Sequence, residues 1–317
     1  MPKYLHAISE ADGAAMASVR AALRTLPPLR ITPDARPMFD QMIEQTPAAG
    51  SVGYEASSVG GIPGWWCRPP GAASHAAILY LHGGGYVIGS AAAYRRPVSQ
   101  IAALSGVSAF VADYRLAPEH RFPTAINDAF AAYQGLADLG FSHIVVAGDS
   151  AGGGLTLAVC SILAARGRDL PAAAIAISPL TDLTASAPSY STRADADLLL
   201  SREAVIAISE TYLAGADPTD PRASPLFGSV SHLPPVQIHV GEDEVLLDDA
   251  IRYADLAVQA GGKIDLHVWQ GMLHVFTSSV AVLEAAREAM RLIGVFISAQ
   301  VTSDAAILTA PGAGSGP

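Results

Sequence analysis

Ser150 stands at the centre of Gly148-Asp149-Ser150-Ala151-Gly152, a G-x-S-x-G pentapeptide. It follows the apolar run HIVVAGD (143–149) and precedes the helix-forming run GLTLAVCSILAAR (154–166). A serine on such a strand-to-helix turn has a strained backbone and an exposed hydroxyl, and glycines two residues to either side let neighbouring backbone pass without Cβ clashes. The chemistry this suits is nucleophilic attack on a carbonyl, with the positive end of the following helix aimed at the developing oxyanion. The bland alternative is a glycine-rich turn capped by Ser150. A second signal is His82-Gly83-Gly84-Gly85-Tyr86, directly after the apolar run AAILYLH (76–82). Consecutive glycines leave N–H groups unshielded. Acyl transfer needs two or three such donors about 3 Å from the carbonyl oxygen as it becomes negative. Gly83 and Gly84, joined by Ala151, are the expected donors, and His82 is expected to brace the loop. A phosphate cradle is the competing reading, but neither G-x-x-x-x-G-K-[ST] nor a G-x-G-x-x-G with its distant acid accompanies the glycines.

A serine hydroxyl needs a base to take its proton and an acid behind the base. Of the nine histidines, His274 follows the last predicted strand in a loop before the C-terminal helix, completing the chain order Ser…acid…His. His239 and His267 fall inside strands and read as packing residues; His6, His75 and His232 read as surface positions. The acid belongs on the loop after PVQIHVG (235–241), where Glu242, Asp243 and Glu244 follow one another and spacing does not choose among them.

The elements that must position these groups recur along the chain. Strand-like runs are 52–58, 63–68, 76–82, 107–115, 143–149, 172–180, 235–241 and 264–270. Helical runs occupy 94–104, 123–138, 151–165, 248–260 and 279–298. Apolar strands alternating with helices indicate an α/β fold with a mostly parallel central sheet covered on both faces. Residues 1–50 read as one or two amphipathic helices interrupted by Pro27, Pro28, Pro33 and Pro37. Residues 183–227 are polar and Pro/Ser-rich around a helix-like SREAVIAISETYLAG, and are expected to form an inserted cap that packs with residues 1–50. The division expected is a catalytic domain of 51–182 and 228–300, a helical cap of 1–50 and 183–227, and a flexible tail over 301–317.

Composition excludes several classes. The 317 residues are 50% hydrophobic, with mean hydropathy +0.32, which excludes global disorder. Net charge is −10, lysine occurs only at positions 3 and 263, and the arginines are scattered, so no basic stripe exists for nucleic acid. No apolar run approaches the roughly 18 residues of a spanning helix, and the N-terminus lacks the apolar core of a signal peptide. Cys67 and Cys160 are too few for a disulfide framework and have no metal-ligand neighbours. The expectation is a cytoplasmic protein without membrane insertion, metal or organic cofactor.

The pair HGGGY (82–86) and GDSAGG (148–153) resembles the bacterial hormone-sensitive-lipase-like esterases, a family of α/β-hydrolases. DYRLAPE (113–119), FPTA (122–125) and DPRASPL (220–226) extend the likeness over about residues 76–276. The resemblance implies an α/β-hydrolase fold and a serine carboxylesterase for small ester substrates with short- to medium-chain acyl groups, without a cofactor. It also implies a homodimer through the edge strand and final helix. The family's acid loop reads acid-x-Leu-x-Asp, which Glu244-Val245-Leu246-Leu247-Asp248 fits; the triad implied is Ser150, Glu244 and His274, with Asp243 as the alternative acid in a shifted loop. Tyr86 is implied as an acyl-pocket wall, or else as core, and Arg115, Glu119 and Asp128 as scaffolding. Amide or lactone hydrolysis on the same machinery is an alternative, as is a ligand-binding protein on a hydrolase scaffold; a nucleotide-binding enzyme is a third.

Overall fold

Runs too apolar to face water on either side become interior strands of a sheet covered by helices. The computed structural model describes residues 3–26, 30–167 and 170–302. In chain order its elements are β1 (Lys3–His6), α1 (Glu10–Leu23), α2 (Arg36–Ile43), β2 (Gly53–Val59), β3 (Ile62–Arg68), β4 (Ala76–Leu81), α3 (Ala91–Ser105), β5 (Ser108–Ala112), α4 (Thr124–Asp138), β6 (His143–Asp149), α5 (Ala151–Ala165), β7 (Ala173–Ile177), α6 (Ser189–Thr192), α7 (Arg202–Leu213), β8 (Val236–Gly241), α8 (Leu247–Gln259), β9 (Ile264–Trp269) and α9 (Glu284–Thr302). The strands form one sheet in the order β1-β9-β8-β7-β6-β4-β5-β3-β2. β2 and β3 are antiparallel to each other, as are β3 and β5, and the remaining pairs are parallel. Strands β4, β5, β7 and β8 are buried along their whole length.

Chain order reverses around β4: β5 lies on one side of it and β6 on the other. In an open α/β sheet a crevice opens at such a switch point, beyond the carboxyl ends of the strands. The register pairs Leu81 with Gly148, so the glycine loop after β4 and the serine turn after β6 emerge side by side into that crevice.

The predicted strands form, with shifts at their ends. The run 107–115 stops at Ala112, where the Asp113 carboxylate turns to accept the Ala91 N–H (2.9 Å). Helix α3 begins at Ala91 rather than 94 because the Ser90 hydroxyl caps it by accepting the Ala93 N–H (3.2 Å). One expectation is corrected: residues 1–50 are not helices alone, since Lys3–His6 is an edge strand parallel to β9. Four residues carry no readable period, and their pairing depends on contacts with β9, more than 250 positions away, such as His6 Nε2 to His267 Nδ1 at 2.9 Å. Pro27 and Pro28, and the expected tail beyond Thr302, lie outside the described residues. Among the described residues no helix is long and apolar enough to cross a membrane.

Candidate active site

Ser150 has φ 53° and ψ −119°, a left-handed backbone that a non-glycine residue holds only when its surroundings force it. The Ser150 N–H donates to the Ile177 carbonyl (2.8 Å), and the Ser150 carbonyl accepts from Gly154 and Leu180 N–H (each 3.0 Å), pinning both sides of the turn. The flanking glycines are required by contact: a methyl group on Gly152 would collide with the Leu81 carbonyl, and one on Gly148 with the Gly152 carbonyl.

His274 lies in the loop after β9, and its Nε2 is 2.9 Å from Ser150 Oγ. Its Nδ1 is 2.9 Å from Glu244 Oε2, in the loop after β8. Glu244 is fully buried; its other oxygen, Oε1, accepts from Ser178 Oγ (2.7 Å) and Gly241 N–H (2.6 Å). Ser178 Oγ in turn accepts the Val275 N–H (3.1 Å), tying the end of β7 to both the acid and the residue after the histidine. Burial alone would lower the pKa of His274, but the hydrogen bond and charge of Glu244, with the charges of Asp197 and Asp149, raise it above the usual imidazole value. The arrangement can take a proton from a hydroxyl and stabilise the imidazolium that forms.

The other two acids of the loop have partners of their own. Asp243 pairs with Arg20 of α1 at 2.6 Å, and Glu242 approaches Arg193 at 3.8 Å. Neither is simply solvated, and His274 meets Glu244.

The glycine loop departs from expectation at Gly83. Its N–H donates to Asp149 Oδ1 (3.0 Å), so it is not free to face a substrate oxygen. Asp149 is buried, and its carboxylate also accepts from Tyr80 OH (2.9 Å) and Tyr94 OH (3.0 Å). Burial pushes its pKa up, opposed by these hydrogen bonds and by the charges of His82 and His274. The middle residue of the serine motif is therefore a brace for the glycine loop. No protein acceptor among the described residues takes the N–H groups of Gly84, Gly85 and Ala151. His82 braces as expected: its ring stacks on Tyr114 (centroids 4.4 Å apart), Nδ1 lies 2.7 Å from the Gly83 carbonyl, and burial lowers its pKa.

Tyr86 is 1% exposed and stacks face to face on Tyr212 of α7 at 3.9 Å, so it is core rather than an open pocket wall. Arg115 forms a bidentate pair with Asp128 (2.9 and 2.7 Å), and Glu119 pairs with Arg36 (2.7 Å), which holds its carboxyl down at about 2. Arg36 also donates to the Val87 carbonyl (2.8 Å), so α2 grips the glycine loop. Sequence reading missed Ser178, Gly241, Asp197 and the bracing role of Asp149. Only the last lay within a recognised motif. Among the described residues no group of three or more His, Cys, Asp or Glu is placed to hold a metal ion.

Residues 78–278 match a family described as having the alpha/beta hydrolase fold. The chain is 38% identical over 255 residues to an acetyl-hydrolase of Streptomyces hygroscopicus, covering 79% of this chain and 85% of that one. It is 34% identical to an esterase of Acinetobacter venetianus over 88% of this chain and 93% of that one. A crystal structure of an esterase from the bacterial hormone-sensitive lipase family superposes with a TM-score of 0.86 at 38% identity, covering 92% of this chain and 99% of the other. A strained serine turn, a glycine loop beside it and an acid and histidine after the last two strands in chain order thus occur in a chain that belongs to the α/β-hydrolase family, among its hormone-sensitive-lipase-like esterases.

Proposed function

We propose that this protein is a serine carboxylesterase acting on small esters with short- to medium-chain acyl groups. The observation that carries the reading is the unbroken chain Ser150 Oγ–His274 Nε2 (2.9 Å) and His274 Nδ1–Glu244 Oε2 (2.9 Å). In this reading Ser150 Oγ attacks the ester carbonyl as His274 Nε2 takes its proton. The carbonyl oxygen becomes negative and is received by the N–H groups of Gly84, Gly85 and Ala151, each contributing about 3 kcal/mol. His274 then gives its proton to the departing alkoxide, leaving an acyl-serine. A water deprotonated by the same imidazole attacks the acyl carbon, and collapse of the second tetrahedral intermediate releases the acid and restores Ser150. Glu244 keeps Nδ1 protonated throughout and offsets the imidazolium charge.

With Lys3–His6 taken into the sheet, the described residues of 7–50 and residues 183–227 act as the cap in this reading. What supports it is contact at the glycine loop, where a methyl group on Gly85 would lie 3.2 Å from Ile31 and 3.0 Å from Ile208. An aliphatic ceiling this close to the oxyanion donors favours compact acyl groups. The test is initial rates on p-nitrophenyl esters from acetyl to palmitoyl. The expected profile peaks at short to medium chains and vanishes in Ser150→Ala. A maximum at palmitoyl would overturn the chain-length assignment, and turnover surviving in Ser150→Ala would overturn the nucleophile. Absence of wild-type turnover on every ester would move the reading to amides and lactones.

A further inference from the structure

We infer that Arg20 and Asp197 form a clamp that holds the Glu244 loop and the His274 loop in register, so that the N-terminal helix and the 183–227 segment set the alignment behind Ser150. The inference rests on the triad proposed above and adds positioning residues to it. Arg20, on α1, donates from Nη2 to Asp243 Oδ2 (2.6 Å) and to the Gly271 carbonyl (3.2 Å), and from Nη1 to the Ala196 carbonyl (2.8 Å). One guanidinium thus joins four segments: α1, the residue before Glu244, the loop three residues before His274, and residue 196. Asp197, next to that carbonyl and 6% exposed, accepts the Val245 N–H on Oδ2 (2.9 Å) and the Leu199 and Leu200 N–H groups on Oδ1 (2.9 and 3.0 Å). Both neighbours of Glu244, Asp243 and Val245, are therefore held from outside their own loop. The Arg20 side chain is only 17% exposed, and its planar fork suits three fixed acceptors in a way an ammonium cannot. A glutamate has one more rotatable bond than an aspartate, so its aim at His274 depends more on how firmly its backbone is held.

The charged groups facing His274 are Glu244, Asp197 and Asp149, and together they favour its protonated form. Arg20→Met keeps the aliphatic stem and removes the fork. On p-nitrophenyl butyrate it is expected to lower kcat by about 10- to 100-fold while KM stays within about threefold. The acid limb of the pH profile is expected to move to lower pH, because a loosened Glu244 supports the imidazolium less. Removal of a positive charge acting only through space would move that limb to higher pH. Arg20→Lys, which keeps one contact but not the fork, is expected to recover part of kcat. Wild-type kcat in Arg20→Met, or an acid limb displaced upward, overturns the clamp. If Arg20→Met fails to fold by circular dichroism, Asp243→Asn leaves both carbonyl contacts of Arg20 in place. It is expected to reduce kcat by about tenfold at unchanged KM, and no reduction overturns the proposal. Ser150→Ala separates the two levels: turnover there sinks the triad itself, whereas an inactive Ser150→Ala beside wild-type-like Arg20 variants sinks only the clamp.

Discussion

Glu244 accepts hydrogen bonds on both oxygens: His274 on one, Ser178 and the Gly241 N–H on the other. A glutamine there could keep one set of partners but would present an amide N–H₂ to the other, which either switches His274 to the tautomer that accepts at Nδ1, leaving the proton on Nε2, or sets the N–H₂ against the Gly241 N–H donor. Glu244→Gln is expected to reduce kcat about 10³-fold or more, and Asp243→Asn far less. Initial rates on p-nitrophenyl butyrate decide; the reverse order would transfer the acid role to Asp243. The charge of Glu244 also fixes a pH dependence. His274 works as a base only when neutral, and its pKa is raised, so activity is lost as pH falls through a value above the ordinary 6.5. The acid limb of kcat/KM is expected above 6.5, and a limb well below it would contradict the Glu244–His274 contact.

The turn between β6 and α5 works because two backbones touch where side chains would stand. Gly152→Ala places a methyl group against the Leu81 and His82 carbonyls, which belong to the strand and loop carrying the proposed oxyanion donors. The substitution is expected to cost on the order of 2–3 kcal/mol of stability, in the overpacking range, and most of the activity. Gly13, inside α1, has nothing within 4 Å of an added methyl group. There Gly13→Ala is expected to stabilise by about 0.5–1 kcal/mol. Thermal unfolding of the two variants beside wild type tests both signs. The need for glycine at 148 and 152 was legible in the G-x-S-x-G spacing. The direction of the Gly83 N–H was not, because Asp149, 66 residues away, captures it.

At the scale of the molecule, one edge of the sheet carries a stack of histidines outside the active site. His6, His267 and His239 lie ring on ring (5.2 and 4.5 Å between centroids), with Trp269 stacked on His6 at 3.7 Å. The Trp269 indole N–H donates to His239 Nδ1 (3.2 Å), which leaves His239 Nε2–H to donate to Gln237 Oε1 (3.0 Å). That tautomer chain continues through the Gln237 amide to His267 Nε2 (3.4 Å), and it requires neutral rings. Burial lowers the pKa of all three histidines, His267 to about 4, with Glu288 opposing the shift only at His6. Unfolded histidines bind protons near 6.5, so folded stability is fully present above that pH and is lost as pH falls from about 6.5 towards 4. Urea midpoints at pH values on either side of this window are expected to fall more for wild type than for His267→Gln. Equal falls would place the acid sensitivity elsewhere. The same network explains why β1 escaped sequence reading: its place is decided by His6 meeting β9, not by any pattern within its four residues.

What the sequence determined by itself was local or carried by motif. Apolar runs set the parallel sheet, glycine spacing set the serine turn, and position after the last strands singled out His274. Each depends on neighbours a few residues apart, where sterics and hydropathy leave a pattern. Spacing left three consecutive acids open and the family motif pointed to Glu244, which the structure brings to His274. Tertiary structure alone decided which glycine N–H groups remain unpaired among the described residues, and how Arg20, Asp197 and Ser178 join loops from distant parts of the chain. Those outcomes turn on hydrogen-bond directions between segments up to 251 residues apart, and nothing within any one segment encodes the direction of its partner.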